Sequence, residues 1–153
     1  MRIRSRTAAL FFLLSLLFAC STTEKKEKAD TYLKPGQYNF KFVGYDADID
    51  NPENDRRSYY KVFIDKAEEG RTTTGLESQE KSFEAMLMPN RHLVTVEKWV
   101  LDKKEGRYVK LNNIEQPKPN YVYFTLPEDR AVIVEMKSTK DGAAEFTVDF
   151  RRD

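Results

Sequence analysis

Cysteine occurs once in the 153 residues, at Cys20. A single thiol excludes an intramolecular disulfide, so the fold must rest on its core rather than on disulfide staples. Histidine also occurs once, at His92. That rules out a zinc site built from several histidines and confines any Ser-His-Asp triad to this one residue. The six glycines are scattered singly, so there is no glycine-rich phosphate loop. An excess of charge of one sign is missing too: 26 basic side chains face 25 acidic ones. Without the three leader arginines the balance is 23 against 25, or −2, and a nearly neutral domain has no electrostatic case for nucleic acid. No apolar run approaches the roughly twenty residues a membrane-spanning helix needs. With 40% apolar and 33% charged residues, the body of the chain reads as a soluble domain with a well-charged surface.

What is present begins at the amino terminus. Arg2, Arg4 and Arg6 precede a short apolar run from Ala8 to Ala19, broken only by Ser15. A basic start followed by such a run is the pattern of a secretory signal peptide. The run ends in Leu17-Phe18-Ala19-Cys20. These residues resemble the lipobox of bacterial lipoproteins, in the relaxed form, bulky two places before the cysteine, familiar from spirochaete lipoproteins. The resemblance implies cleavage before Cys20, a diacylglycerol thioether on its sulfur, and acylation, as with palmitate, of the new amino terminus. Two or more acyl chains anchor stably where one is marginal. Ser21, rather than Asp, follows the cysteine, which in Gram-negative sorting implies the outer membrane. Ser21 to Lys34 crowds charges of both signs around few apolar residues and reads as a solvated tether. The expected organisation is a signal peptide at 1–19, a lipidated N-terminus and flexible tether at 20–34, and a folded domain at 35–153.

From Pro35 onward, short runs alternate apolar and polar residues. They contain Tyr38-Phe40-Phe42, Tyr60-Val62-Ile64, Phe83-Ala85-Leu87, Val94-Val96-Val100, Val109-Leu111, Val122-Phe124-Leu126, Val132-Val134-Met136 and Phe146-Val148-Phe150. Period-two alternation marks half-buried strands. Turn residues separate them at Glu69-Gly70, Pro89-Asn90, Glu105-Gly106, Pro127-Glu128-Asp129 and Asp141-Gly142. No capping box followed by a long helical period appears. The expected fold is all-β, a single antiparallel β-sandwich of about eight strands, with a small barrel as the alternative.

Residues 60–96 resemble the PEGA type of small β-sandwich module. The matching positions are Val62, Ile64, Asp65, Gly70, Thr72, Pro89, His92, Val94 and Val96. Lys66 and Asn90 depart from it, each standing where glycine is usual. The resemblance covers about a quarter of the chain, carries no catalytic residue, and implies a hairpin turn after Asp65 and a binding or spacer module of the cell envelope.

Three stretches are candidates for function. Asp46, Asp48 and Asp50 alternate in an acidic loop that offers oxygens to Ca²⁺, although Asn51 and Arg57 break the EF-hand pattern. Tyr59, Tyr121 and Tyr123 fall on the strand face opposite the core and, with Trp99, are candidates for a recognition surface. Paired carboxylates for a hydrolase are not singled out by spacing. His92 reads as the opening of a strand rather than as a base. The expectation is therefore a lipid-anchored envelope protein without catalytic residues, bound to the membrane through Cys20 and to an envelope or extracellular protein through its sandwich. A calcium-dependent module on the Asp46–Asp50 loop is the alternative, and a hydrolase a distant third.

Overall fold

The computed structural model describes residues 37–152. The leader, the lipobox with Cys20 and the tether at 20–34 lie outside them. Ten strands run in order as β1 (Phe40–Asp46), β2 (Arg57–Ile64), β3 (Ala67–Arg71), β4 (Gly75–Leu76), β5 (Lys81–Ala85), β6 (Arg91–Asp102), β7 (Arg107–Lys110), β8 (Tyr121–Thr125), β9 (Arg130–Ser138) and β10 (Ala144–Arg152). A 3-10 turn at Pro52–Asn54 lies between β1 and β2, capped by the Asn51 side chain.

The strands form two sheets. One has the order β10-β9-β1-β5; the other runs β3-β2-β6-β7, with β4 also on β2 and β8 also on β6. The all-β sandwich is as expected, and the sheets do not close into a barrel. Pairing is antiparallel except between β1 and β9, which run parallel with Phe42 opposite Val134. Their separation in sequence allows this, because a parallel pair needs a long crossover rather than a hairpin.

The alternation dictates the core. Phe40, Phe42, Val132, Val134 and Met136 point inward from the first sheet and meet Tyr60, Val62, Ile64, Val94, Val96 and Phe124 of the second. Phe40 stacks on Phe124 at 5.8 Å between ring centres, and Phe42 meets Tyr60 edge-on at 5.9 Å. Such pairs add to the burial of their area.

Two strands were not expected. β3 and β4 carry few apolar residues and lack a clear alternation, so only pairing with β2 makes them strands. Glu69-Gly70, expected as a turn, lies inside β3, and the chain turns after Asp65 at Asp65-Lys66, where both residues have positive φ, 51° and 71°. This is the two-residue hairpin geometry that matches strand twist. Asp tolerates it, and its carboxylate is also anchored by the Leu93 N–H at 2.9 Å. Gly70 sits inside β3, where a Cβ would come within 2.8 Å of the Phe83 ring.

Candidate functional site: the outer face of the six-stranded sheet

The long strand β6 alternates between core and exterior along its whole length. Its outward positions, Arg91, Leu93, Thr95, Glu97, Trp99 and Leu101, form the middle row of an outer face that neighbouring strands extend by register. Tyr59 lies opposite Trp99, Tyr121 opposite Thr95, and Tyr123 opposite Leu93. All four aromatic candidates therefore share one face, in two groups.

In the first group Tyr59 and Trp99 stack at 6.1 Å with their rings 7° from parallel, and Tyr108 leans on Tyr59 at 5.0 Å. Cations cover the stack: Lys61 Nζ stands 4.9 Å from the Trp99 ring and the Arg71 guanidinium 5.2 Å from Tyr59. Tyr59 is consequently buried although it points away from the core. The second group is open. Tyr121 and Tyr123 are 50% and 52% exposed, meet edge-on at 6.0 Å, and the Arg91 guanidinium lies 4.9 Å from the Tyr123 ring. Each cation–π contact fixes an aromatic plane and keeps a charge at the surface.

The face is positive. Its outward charges are Arg57, Lys61, Arg71, Arg91 and Lys110 against Glu68, Glu69 and Glu97, of which Glu68 and Glu97 pair with Lys61 and Lys110 at 3.3 and 2.6 Å. The described residues as a whole hold 19 basic and 21 acidic side chains, so the surplus of cations here is local. Tyr108, Arg71 and Arg91 were not singled out by sequence. Arg91 was legible in principle, since it shares the outward phase of β6 with Trp99.

The acidic loop is arranged differently from the calcium cup. Asp46 ends β1 in the inward phase of Phe40 and Phe42 and is 2% exposed. Its Oδ1 accepts from the hydroxyls of Tyr60 at 3.1 Å and Ser138 at 2.6 Å, and its Oδ2 is in contact with Lys98 Nζ. Asp48 accepts from the Lys140 N–H at 2.9 Å, and Asp50 is exposed. The three carboxylates are not brought together, and among the described residues no group of three His, Cys, Asp or Glu side chains is placed to hold a metal ion.

Asp46 instead belongs to a buried ionic cluster that sequence reasoning missed. Lys98 Nζ also meets Glu77 Oε1 at 2.8 Å. Arg56 grips the same carboxylate through Nε at 3.0 Å and its terminal nitrogen at 2.9 Å. Burial pushes the Glu77 carboxyl up, but the Arg56 hydrogen bond and the Lys98 charge outweigh it and hold it below its ordinary value. Lys81, fully buried, donates to the carbonyls of Leu76, Glu77 and Gln79 at 2.7, 3.0 and 2.6 Å. Burial lowers its ammonium to about 8, against the opposing pull of Asp46.

His92 is placed as a structural residue near the start of β6. Nδ1 lies 2.8 Å from Asp65 Oδ2 and Nε2 2.8 Å from the Met88 carbonyl, and the ring packs on Phe124 at 5.7 Å. Both nitrogens are thus occupied, and the pair ties the Asp65-Lys66 turn to the next strand. An open cleft of about 580 Å³ lies at one end of the sandwich. Of its acids, Glu115 pairs with Arg56 at 3.5 Å and Asp102 accepts from the Lys104 and Glu105 N–H groups, while Glu53 is an exposed residue of the 3-10 turn. No family model matches this chain, and neither a curated protein nor a solved structure matches it.

Proposed function

We propose that this chain is a lipid-anchored protein of the cell envelope, held through Cys20 at the outer membrane, and that its sandwich acts as a non-enzymatic binding module. Its ligand is a protein that presents acidic side chains beside apolar ones. The observation that carries the reading is the outer face of the six-stranded sheet, where half-exposed Tyr121 and Tyr123 stand beside Arg91. Tyrosine and arginine are the side chains most enriched where binding energy concentrates, and a face on which cations outnumber acids favours an acidic partner.

The test is site-specific photocrosslinking in cells, with the full chain carrying the photoreactive residue in place of Tyr123 or, on the opposite outer face, of Thr147. One discrete adduct from position 123, absent from position 147 and weakened by raised salt, supports the reading. Equal labelling from both faces, or none from position 123, contradicts it. The anchor is checked separately: Cys20→Ser is expected to lose fatty-acid labelling and to leave the membrane fraction.

A further inference from the structure

Between the two sheets, three ionisable side chains meet in a space closed to solvent. Asp46 comes from the end of β1, Lys98 from the middle of β6, and Glu77 from the segment between β4 and β5. Their side chains are 1%, 4% and 3% exposed. Lys98 Nζ touches Asp46 Oδ2 and lies 2.8 Å from Glu77 Oε1, while Asp46 Oδ1 accepts two hydroxyl hydrogen bonds. Here an amine, a carboxyl carbon, a second carboxylate on the amine and two donors on one carboxyl oxygen occupy the places that acyl transfer requires.

We propose that Lys98 and Asp46 become joined by an intramolecular isopeptide bond, with Glu77 as the proton carrier. Glu77 Oε1 takes a proton from the Lys98 ammonium, and the freed nitrogen attacks Asp46 Cγ. As the N–C bond forms, negative charge develops on Oδ1, where the Tyr60 and Ser138 hydroxyls already donate. Burial and the neighbouring Asp46 charge push the Tyr60 phenol well up, which keeps it a donor. Glu77 then passes its proton to Oδ2, a second proton follows from nitrogen by the same route, the Cγ–Oδ2 bond breaks, and water leaves. An ammonium and a carboxylate become an amide and one water. No electrons are exchanged, no other reactant is needed, and Glu77 ends as the carboxylate it began as.

Several features favour this course. The reacting groups are held in contact by two different sheets, which replaces an encounter by a fixed approach. The neutral product removes two charges whose burial is costly. Arg56 acts as a positioning residue by fixing both oxygens of Glu77, which sets the carboxylate's orientation while lowering its basicity, and Lys81 pins the backbone of the loop that carries it. The bond ties β1, the first strand of the described residues, to the opposite sheet. It spans 52 residues of sequence and constrains the unfolded chain as a disulfide would, in a protein whose single cysteine excludes one.

The experiment is tryptic peptide mapping of the purified, folded full chain by mass spectrometry. The expected result is a branched peptide that joins residues 42–56 to residues 92–103, one water lighter than the two together, with the bond after Lys98 uncut. Lys98→Arg, which keeps the charge but offers no comparable nucleophile, is expected to lose it completely. Glu77→Gln is expected to slow its appearance during refolding by about a hundredfold or more. Recovery of both peptides unlinked from the folded wild-type protein overturns the proposal whatever the variants do. A Glu77→Gln protein that links at the wild-type rate overturns the role given to Glu77.

Discussion

The two outer faces of this sandwich are built on the same alternation and carry different chemistry. On the four-stranded sheet, outward positions of neighbouring strands set opposite charges side by side. Lys41 faces Glu84 at 3.5 Å, Lys137 is in register with Glu145, and the Tyr45 hydroxyl donates to Glu135 at 3.2 Å. Such a face is satisfied by water and by its own pairs, and charged side chains along β10 also protect an edge strand from pairing with another chain. On the six-stranded sheet the same positions hold aromatic rings capped by cations, with Arg91 and Arg71 spent on ring faces rather than on carboxylates. Exposed rings and a local excess of positive charge cost something to maintain, and a partner that covers both recovers it. The difference teaches that alternation reports which residues point out, and that the kinds of side chain that point out distinguish a passive face from one suited to contact.

An inner ring and an outer one are expected to respond differently to removal. Phe40→Ala removes a fully buried ring stacked on Phe124 and is expected to lower stability by about 3–5 kcal/mol in denaturant unfolding. Tyr123→Ala removes a half-exposed ring and is expected to change stability by no more than about 0.5 kcal/mol. The same Tyr123→Ala change, or Arg91→Ala, is expected to weaken partner binding by about 2 kcal/mol in titration calorimetry, whereas Thr147→Ala on the other face leaves it unchanged. A Tyr123→Ala protein that unfolds like Phe40→Ala would erase the distinction between core and contact face.

Cations on the two sheets can be compared by pH. Lys81 is held at about 8 in the folded protein, below the ordinary lysine value of 10.5. Between those values the unfolded chain binds the extra proton and the native one does not. Stability is therefore expected to rise as pH increases through that window, by at most about 1.4 kcal/mol per pH unit. Thermal melts across pH 8 to 10.5 should show the rise in the wild type and its loss in Lys81→Met. Arg91→Ala, on the exposed face, should keep the wild-type profile. A further effect belongs to the hairpin beside the outer face of the six-stranded sheet. Lys66 has a φ of 71°, where a side chain is strained, and Lys66→Gly is expected to stabilise by about 1 kcal/mol in chemical unfolding while leaving partner binding as it was.

Much of this fold was legible because the physical signal is local. Eight strands have strong period-two patterns, and the expected Asp141-Gly142 turn is where β9 meets β10, with Gly142 at a φ of 89°. β3 and β4 were not legible, since residues such as Glu68, Glu69 and Gly75 form strands only through pairing with β2. The parallel contact of β1 with β9 joins residues some ninety positions apart, as Phe40 with Val132, and no local pattern announces it. The aromatic candidates fell on one face as their alternation required, but the cations that cap them depend on neighbouring strands. The buried cluster was half legible. Asp46 continues the inward phase of Phe40 and Phe42, and Lys98 that of Val94 and Val96, so a charge on each strand was marked for the interior. Their common partner Glu77 lies between strands without a period, and only the folded chain brings it to them.

The proposed contact surface is the outer face of the six-stranded sheet. The most direct measurement is tyrosine-directed covalent footprinting of the full chain, in its native envelope and again after purification. The account predicts that Tyr121 and Tyr123 react freely in the purified protein and are shielded in the envelope, while Tyr45 on the opposite face reacts alike in both. Shielding of Tyr45 with Tyr121 and Tyr123 unchanged would contradict it and move the contact to the other sheet.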